Sequence, residues 1–142
     1  MNSSIFREYD IRGIADEDLT DDVVSDIGLA MGTIFAKKGL KKISIGRDCR
    51  KSSERIFNVL SSSIIKAGIS IIDLGMITTP VLYFSLYGLK IDGGVMITAS
   101  HNPSDYNGFK AAIGKDVLSA SQIQEIKNII RSKSFIQDAT LG

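Results

Sequence analysis

A hydroxyl, an imidazole, an amide and an ammonium are crowded into one short stretch of this chain, Thr98-Ala99-Ser100-His101-Asn102-Pro103, which continues through Asp105-Tyr106-Asn107-Gly108-Phe109-Lys110. Pro103 fixes its own backbone angle and biases Asn102 away from helical geometry, so the loop should be stiff enough to hold Ser100 at a set position. Such presentation suits a group that must meet a reacting partner in line. His101 is a poor base for Ser100, because adjacent side chains of an extended segment point to opposite sides. No Gly-x-Ser-x-Gly elbow surrounds the serine, and no Gly-x-Gly-x-x-Gly or Walker-type phosphate loop occurs. The plain alternative is a polar turn, since Asn, Ser and Pro are common turn formers. The residues alone leave both readings open.

The elements that must carry this loop can be read from periodicity. Val23, Val24, Ile27, Met31, Ile34 and Phe35 have the one-sided spacing of an amphipathic helix, capped by Thr20, opened by Asp21 and Asp22, and ended at Gly39. Ile43 to Gly46 reads as a buried strand, followed by the polar run Arg47-Asp48-Cys49-Arg50-Lys51-Ser52-Ser53. A second helix from Ser52 or Ser53 should bury Ile56, Phe57, Leu60, Ile64 and Ile65 and stop at Gly68. Ile69 to Asp73 is the next strand, and Thr78-Thr79-Pro80 opens a third helix that runs to about Leu89. Gly93 to Thr98 is a third strand. Asn107-Gly108, the pair best able to take the positive angles of a tight hairpin, predicts that Phe109 to Ile113 runs back antiparallel. A last helix, Ser121 to Ser132, has Ser121 and Gln124 at capping-box spacing and an apolar face of Ile123, Ile126, Ile129 and Ile130.

Alternating strands and helices argue for an α/β fold, a three-layer α/β/α sandwich with a mostly parallel mixed sheet of about four strands. Three polar loops, Arg47 to Ser53, Gly75 to Thr79 and Ala99 to Gly108, each leave the carboxyl end of a strand. They should gather at one edge of the sheet, where open α/β sheets place their ligands.

The whole chain sets bounds on function. Its 142 residues have the length of one domain, and 44% hydrophobic content supports a core. Seventeen Lys and Arg against sixteen Asp and Glu leave +1, which gives no global basic field for nucleic acid, so any anion site must be local. One cysteine, Cys49, cannot form an intramolecular disulfide, and Met1-Asn2-Ser3-Ser4 has no secretory pattern; a cytoplasmic location is expected. The most apolar stretch, Ile69 to Ile77, is broken by Asp73 and Gly75, so no membrane span is expected.

Read in order, Phe6-Arg7-Glu8-Tyr9-Asp10-Ile11-Arg12-Gly13, Gly46-Arg47-Asp48-Cys49-Arg50-Lys51-Ser52, Thr98 to Pro103 and Tyr106-Asn107-Gly108-Phe109-Lys110 resemble the α-D-phosphohexomutase family. The resemblance covers about Ile5 to Ile130 and implies the N-terminal, phosphoserine-bearing domain, here residues 1–132, with 133–142 beginning a linker to a second domain. It implies that the serine matching Ser100 gives its phosphate to a hexose monophosphate, forms a bisphosphate and recovers the other phosphate. A serine that is weakly nucleophilic at its free pKa acts more easily as a phosphorylated donor. The family also implies Mg²⁺, with phosphorylated Ser100 as one ligand and the others in the next domain, and a hexose 1,6-bisphosphate as activator. The Asp residues of this chain are not spaced as a closed ligand set.

Arg12 and Lys110 match positions that neutralise charge around the phosphoserine and substrate; solvated surface charge is the alternative. His101 matches an active-site position that could move a proton of a sugar hydroxyl, or could order the loop by a hydrogen bond. Asn102 matches a substrate position. Tyr9 matches one near the sugar, or packs as an aromatic on the sheet edge. Arg47, Asp48, Arg50 and Ser52 belong to the family signature and are expected to serve structure. The opening Phe6 to Gly13 resembles the mannose/glucose branch, so the expected partners are a hexose phosphate and the remaining domains of a longer polypeptide. The rival is a stand-alone, non-catalytic phosphate- or partner-binding module.

Overall fold

The computed structural model describes residues 1–137; the part of the expected linker from 138 onward lies outside them. After a 3-10 turn at Ser3–Ile5 come β1 (Ile11–Ile14), α1 (Asp21–Lys37), β2 (Lys42–Arg47), α2 (Ser53–Ile65), β3 (Ser70–Met76), α3 (Thr79–Gly88), β4 (Gly93–Ile97), β5 (Tyr106–Ile113), β6 (Asp116–Val117) and α4 (Ala120–Ser132). One sheet has the order β1-β5-β4-β2-β3, with β6 paired to β5. β2 is parallel to β3 and β4, and β5 is antiparallel to β4, β1 and β6. The expected mixed sheet therefore has six strands, not about four. The two missed are short: β1 is four residues that include Arg12 and Gly13, and β6 is two. Neither is long enough to display an alternating pattern.

Strand alternation assigns the layers. Ile43, Ile45, Val95, Ile97, Phe109 and Ala111 share one core with apolar residues of α1, α2 and α4. Their strand neighbours of opposite parity turn to the other face, where Ser44 Oγ lies 3.1 Å from Ser85 Oγ of α3 and Leu86 fills the space over Gly94. Helices α1, α2 and α4 thus cover one face and α3 the other, giving the expected three layers. The closeness of α1 and α2 depends on small residues, since a Cβ on Gly28 would stand 2.6 Å from Ser63 Cβ.

Local signals explain most element ends. The Thr20 side chain accepts from the Val23 N–H, Asp21 and Asp22 follow, and Gly39 and Gly68 take φ of +80° and +89° beyond α1 and α2. Three expectations need correction. Ile65, expected on the buried face of α2, is 43% exposed at the last turn of that helix. Asn107 and Gly108 lie inside β5, and the reversal is made by the segment between Ile97 and Tyr106. Buried Asn107 instead has a structural use: its Nδ2 donates to Ser52 Oγ at 2.8 Å and Ser53 Oγ at 3.0 Å, tying β5 to the start of α2. The capping box of α4 is Ser119 with Gln122, two residues earlier than the Ser121/Gln124 pair of identical spacing. Leu118, buried just before it, helps to fix the entry.

A carboxylate closes the end of the sheet opposite the loops. Asp92 Oδ2 accepts from the N–H groups of Lys41 at 2.8 Å and Lys42 at 3.1 Å, and these two donors hold its carboxyl below the usual range. A lowered folded-state value means that the contribution is present above the ordinary Asp pKa and is lost as pH falls through the lowered one. D92A should therefore cost about 1 kcal/mol at neutral pH, the low end because the group is exposed, and less in acid. Equal denaturant midpoints for D92A and wild type at neutral pH would refute this.

Candidate active site

The three expected loops do meet. They border an open cleft of about 1190 Å³ lined by Asp48 to Lys51, Met76 to Pro80, Thr98, Ser100, His101, Asn102 and Ser104, with Lys110 and Met96 reaching it from the sheet. Its floor is the face covered by α3, because Lys110 and Met96 have the parity that turns away from the main core.

Ser100 is exposed and sits in left-handed backbone, with φ of +55°. That conformation costs a residue with a Cβ roughly 1–2 kcal/mol, so the loop around it must be held. Inside the loop, the N–H of Ser100 donates to Thr98 Oγ1 at 3.0 Å, that of Asn102 to the Ala99 carbonyl at 3.1 Å, and that of Tyr106 to the Pro103 carbonyl at 3.0 Å. From outside, Arg50 Nη2 donates to the carbonyls of Ser100 and Asn102, both at 2.9 Å, and Nη1 to those of Pro103 at 2.6 Å and Tyr106 at 3.2 Å.

Arg12 and Lys110 stand on the same face of the sheet. Arg12 pairs with Gly108 across β1 and β5, and Gly108 is two residues from Lys110. Arg12 is largely covered; its guanidinium donates to Asn102 Oδ1 and to the carboxylate of buried Asp10. It reaches the serine loop through Asn102 and is not among the residues lining the cleft. Its Nε is buried with no partner among the described residues. His101 is exposed at the cleft beside Ser100. Tyr9 is not brought to the cleft: it is 64% exposed and borders a separate small depression with Ile11, Met31 and Phe109.

The Arg-Asp signature divides. Arg47 turns from the loop to Glu54 at 2.9 Å and Asp73 at 2.8 Å and stacks 4.5 Å above the Phe57 ring, a structural role. Arg50, three residues later, grips the serine loop itself. Sequence reasoning placed both together because type and spacing do not reveal which arginine faces which loop. Thr78, Thr79 and Cys49 also line the cleft and were not singled out; their position after β3 and β2 was the available signal.

The family profile described as phosphoglucomutase/phosphomannomutase, alpha/beta/alpha domain I, matches residues 3–137. The chain belongs to this family. Curated relatives include a phosphoglucomutase from Neisseria gonorrhoeae, 44% identical over 136 residues, and a phosphomannomutase/phosphoglucomutase from Pseudomonas aeruginosa, 40% identical over 135 residues. These alignments cover 96% and 95% of this chain but 30% and 29% of the relatives' length. An X-ray structure of a phosphoglucomutase/phosphomannomutase family protein from Burkholderia thailandensis superposes with a TM-score of 0.92 at 34% identity, over 96% of this chain and 32% of that one. The loops after β2, β3 and β4 converge because these three strands run parallel. Among the described residues no helix is long and apolar enough to cross a membrane, and no three His, Cys, Asp or Glu side chains are grouped to hold a metal ion.

Proposed function

We propose that this domain supplies the phosphoryl-carrying serine of an enzyme that interconverts the 1- and 6-phosphates of a hexose of the mannose/glucose type. The observation that supports it best is the placement of Ser100: one exposed hydroxyl on a gripped backbone, at a cleft that Lys110 and His101 also border. Starting from phosphorylated Ser100, the bond between phosphorus and Ser100 Oγ breaks as a bond forms to the free hydroxyl oxygen of the sugar. The proton of that hydroxyl passes to a base, for which His101 at the same cleft is a candidate, Ser100 Oγ takes up a proton as it leaves, and a hexose bisphosphate results. When the bisphosphate has turned over, its other phosphoryl group returns to Ser100 Oγ: the hydroxyl gives up its proton, the bond between phosphorus and the sugar oxygen breaks, and that oxygen leaves as a protonated hydroxyl.

Phosphorylated Ser100 would carry about −1.5 to −2 charges. In this reading Lys110 offsets part of it from the cleft floor as a point charge. Arg12, whose guanidinium is shared between the Asp10 carboxylate and Asn102, acts by orienting Asn102 toward the substrate. Tyr9 would contribute only from outside the cleft. Mg²⁺ fits Ser100 in part: a phosphate there is open to solvent and can lend one oxygen, while the other ligands must come from outside the described residues. When bound, such a cation spreads the charge of the transferring group. A hexose 1,6-bisphosphate would serve as activator by loading Ser100. Residues 1–132 form the domain in this reading and 133–142 lead onward, although Phe135 packs on the core and the Ile136 N–H donates to Thr33 Oγ1 at 2.9 Å. A cytoplasmic setting suits the lone thiol.

The decisive test places this chain in the position of domain I of the Pseudomonas aeruginosa relative. The chimera should interconvert hexose 1- and 6-phosphates with Mg²⁺ and a bisphosphate. The isolated 142-residue chain should show no turnover under the same conditions. A folded but inactive chimera would count for the non-catalytic binding module.

A further inference from the structure

Arg50 has five N–H donors, and all five are used on one small region. Nε meets Asp48 Oδ2 at 3.0 Å, and the four Nη hydrogens meet four carbonyls, those of Ser100, Asn102, Pro103 and Tyr106. A planar fork with fixed donor directions can satisfy such a set; a lysine, with three donors from one nitrogen, cannot. The fork is itself oriented. Asp48 Oδ1 accepts from the Arg50 N–H at 3.1 Å and from Ser53 Oγ at 2.7 Å, and Ser53 Oγ in turn accepts from Asn107 Nδ2. The start of α2, the end of β2 and the start of β5 are thus joined through one guanidinium to both ends of the serine loop.

We infer that Arg50 is the positioning residue for Ser100: it touches no reacting atom, but fixes the left-handed backbone that sets where the Ser100 hydroxyl stands. The geometric part is independent of the phosphoryl-transfer reading; its consequence for turnover rests on that reading. A further effect follows from peptide planarity. With the Ser100 and Pro103 carbonyls turned toward Arg50, the N–H groups of His101 and Ser104 point the opposite way. Neither has a partner among the described residues, so both are free to donate to an anion at the loop.

Hydrogen exchange tests the geometry on the chain itself, at the three loop amides that donate within the loop, Ser100, Asn102 and Tyr106. In R50K and R50A these amides should exchange about tenfold faster or more, consistent with loss of local protection, while core amides of α1 and β2 keep wild-type rates. Millimolar guanidinium should restore protection in R50A and leave R50K unchanged. Core amides report folding, so if R50A does not fold, R50K decides. In the active chimera, R50K should lower kcat about 100-fold with KM little moved, the pattern of a misplaced reacting group. Loop amides as protected in R50K as in wild type overturn the inference, as does an unchanged kcat once those amides are freed. If the wild-type chimera is itself inactive, the phosphoryl-transfer reading fails and the exchange measurement still decides the role of Arg50.

Discussion

Replacing Ser100 with alanine is expected to abolish hexose phosphate interconversion in the chimera and to leave the fold intact. The side chain is exposed and makes no buried contact, so its loss should change stability by no more than about 0.5 kcal/mol. Intact-mass analysis of the chimera purified from cells should show a phosphoryl adduct that maps to Ser100 and disappears in S100A. An adduct on another serine, or full activity of S100A, would refute the assignment. A companion variant separates strain from chemistry. Because Ser100 has φ of +55°, S100G should be more stable than S100A by about 1 kcal/mol while remaining equally inactive. The site would then be one where a better local fold and a working group are incompatible.

The second large effect is expected at Gly108. A Cβ there would lie 2.2 Å from the Ile11 carbonyl oxygen and 3.1 Å from Arg12 Cα, both backbone atoms of the neighbouring strand. Unlike a flexible side chain, a hydrogen-bonded strand cannot move aside without losing its pairing. G108A should therefore destabilise the domain by about 3 kcal/mol, at the upper end of overpacking costs. It should also loosen Arg12 from Asn102, since β1 is held in the sheet through β5. Denaturant unfolding measures the first effect; a loss within about 0.5 kcal/mol would show that β1 shifts freely.

Much of this architecture was legible because its elements announce themselves locally. Ile27, Met31, Ile34 and Phe35 mark α1 by period, Gly39 and Gly68 mark helix ends, and strand-to-loop order alone placed the three loops on one edge. Where the reading failed, equal local signals competed and tertiary contacts chose between them. Asn107-Gly108 has the chemistry of a tight turn, but Asn107 is claimed by Ser52 and Ser53, and Gly108 by the close approach of β1. Ser119/Gln122 and Ser121/Gln124 have the same spacing, and the first pair was selected where the chain arrives from buried Leu118. At the site, the hydroxyl, imidazole and lysine could be named from the sequence because they sit in one loop and the strand after it. The grip of Arg50 could not, since its acceptors are backbone carbonyls that no residue type advertises. The engagement of Arg12 with the Asp10 carboxylate appears only once β1 is placed, because residue type names both partners but not which neighbour each one faces.

The pairing of β1 with β5 joins Ile11 to Phe109, residues near opposite ends of the described chain. On a ribosome adding about 5–20 residues per second, the first strand would wait roughly 5–20 s for its neighbour to be made. During that interval α1, β2, α2, β3, α3 and β4 can assemble, while Arg12 has neither the strand nor the loop that will hold it. Arg12, although made early, is thus among the last cations to be seated in the nascent protein, and a chain stalled before Phe109 would carry a nearly complete set of helices without a finished site.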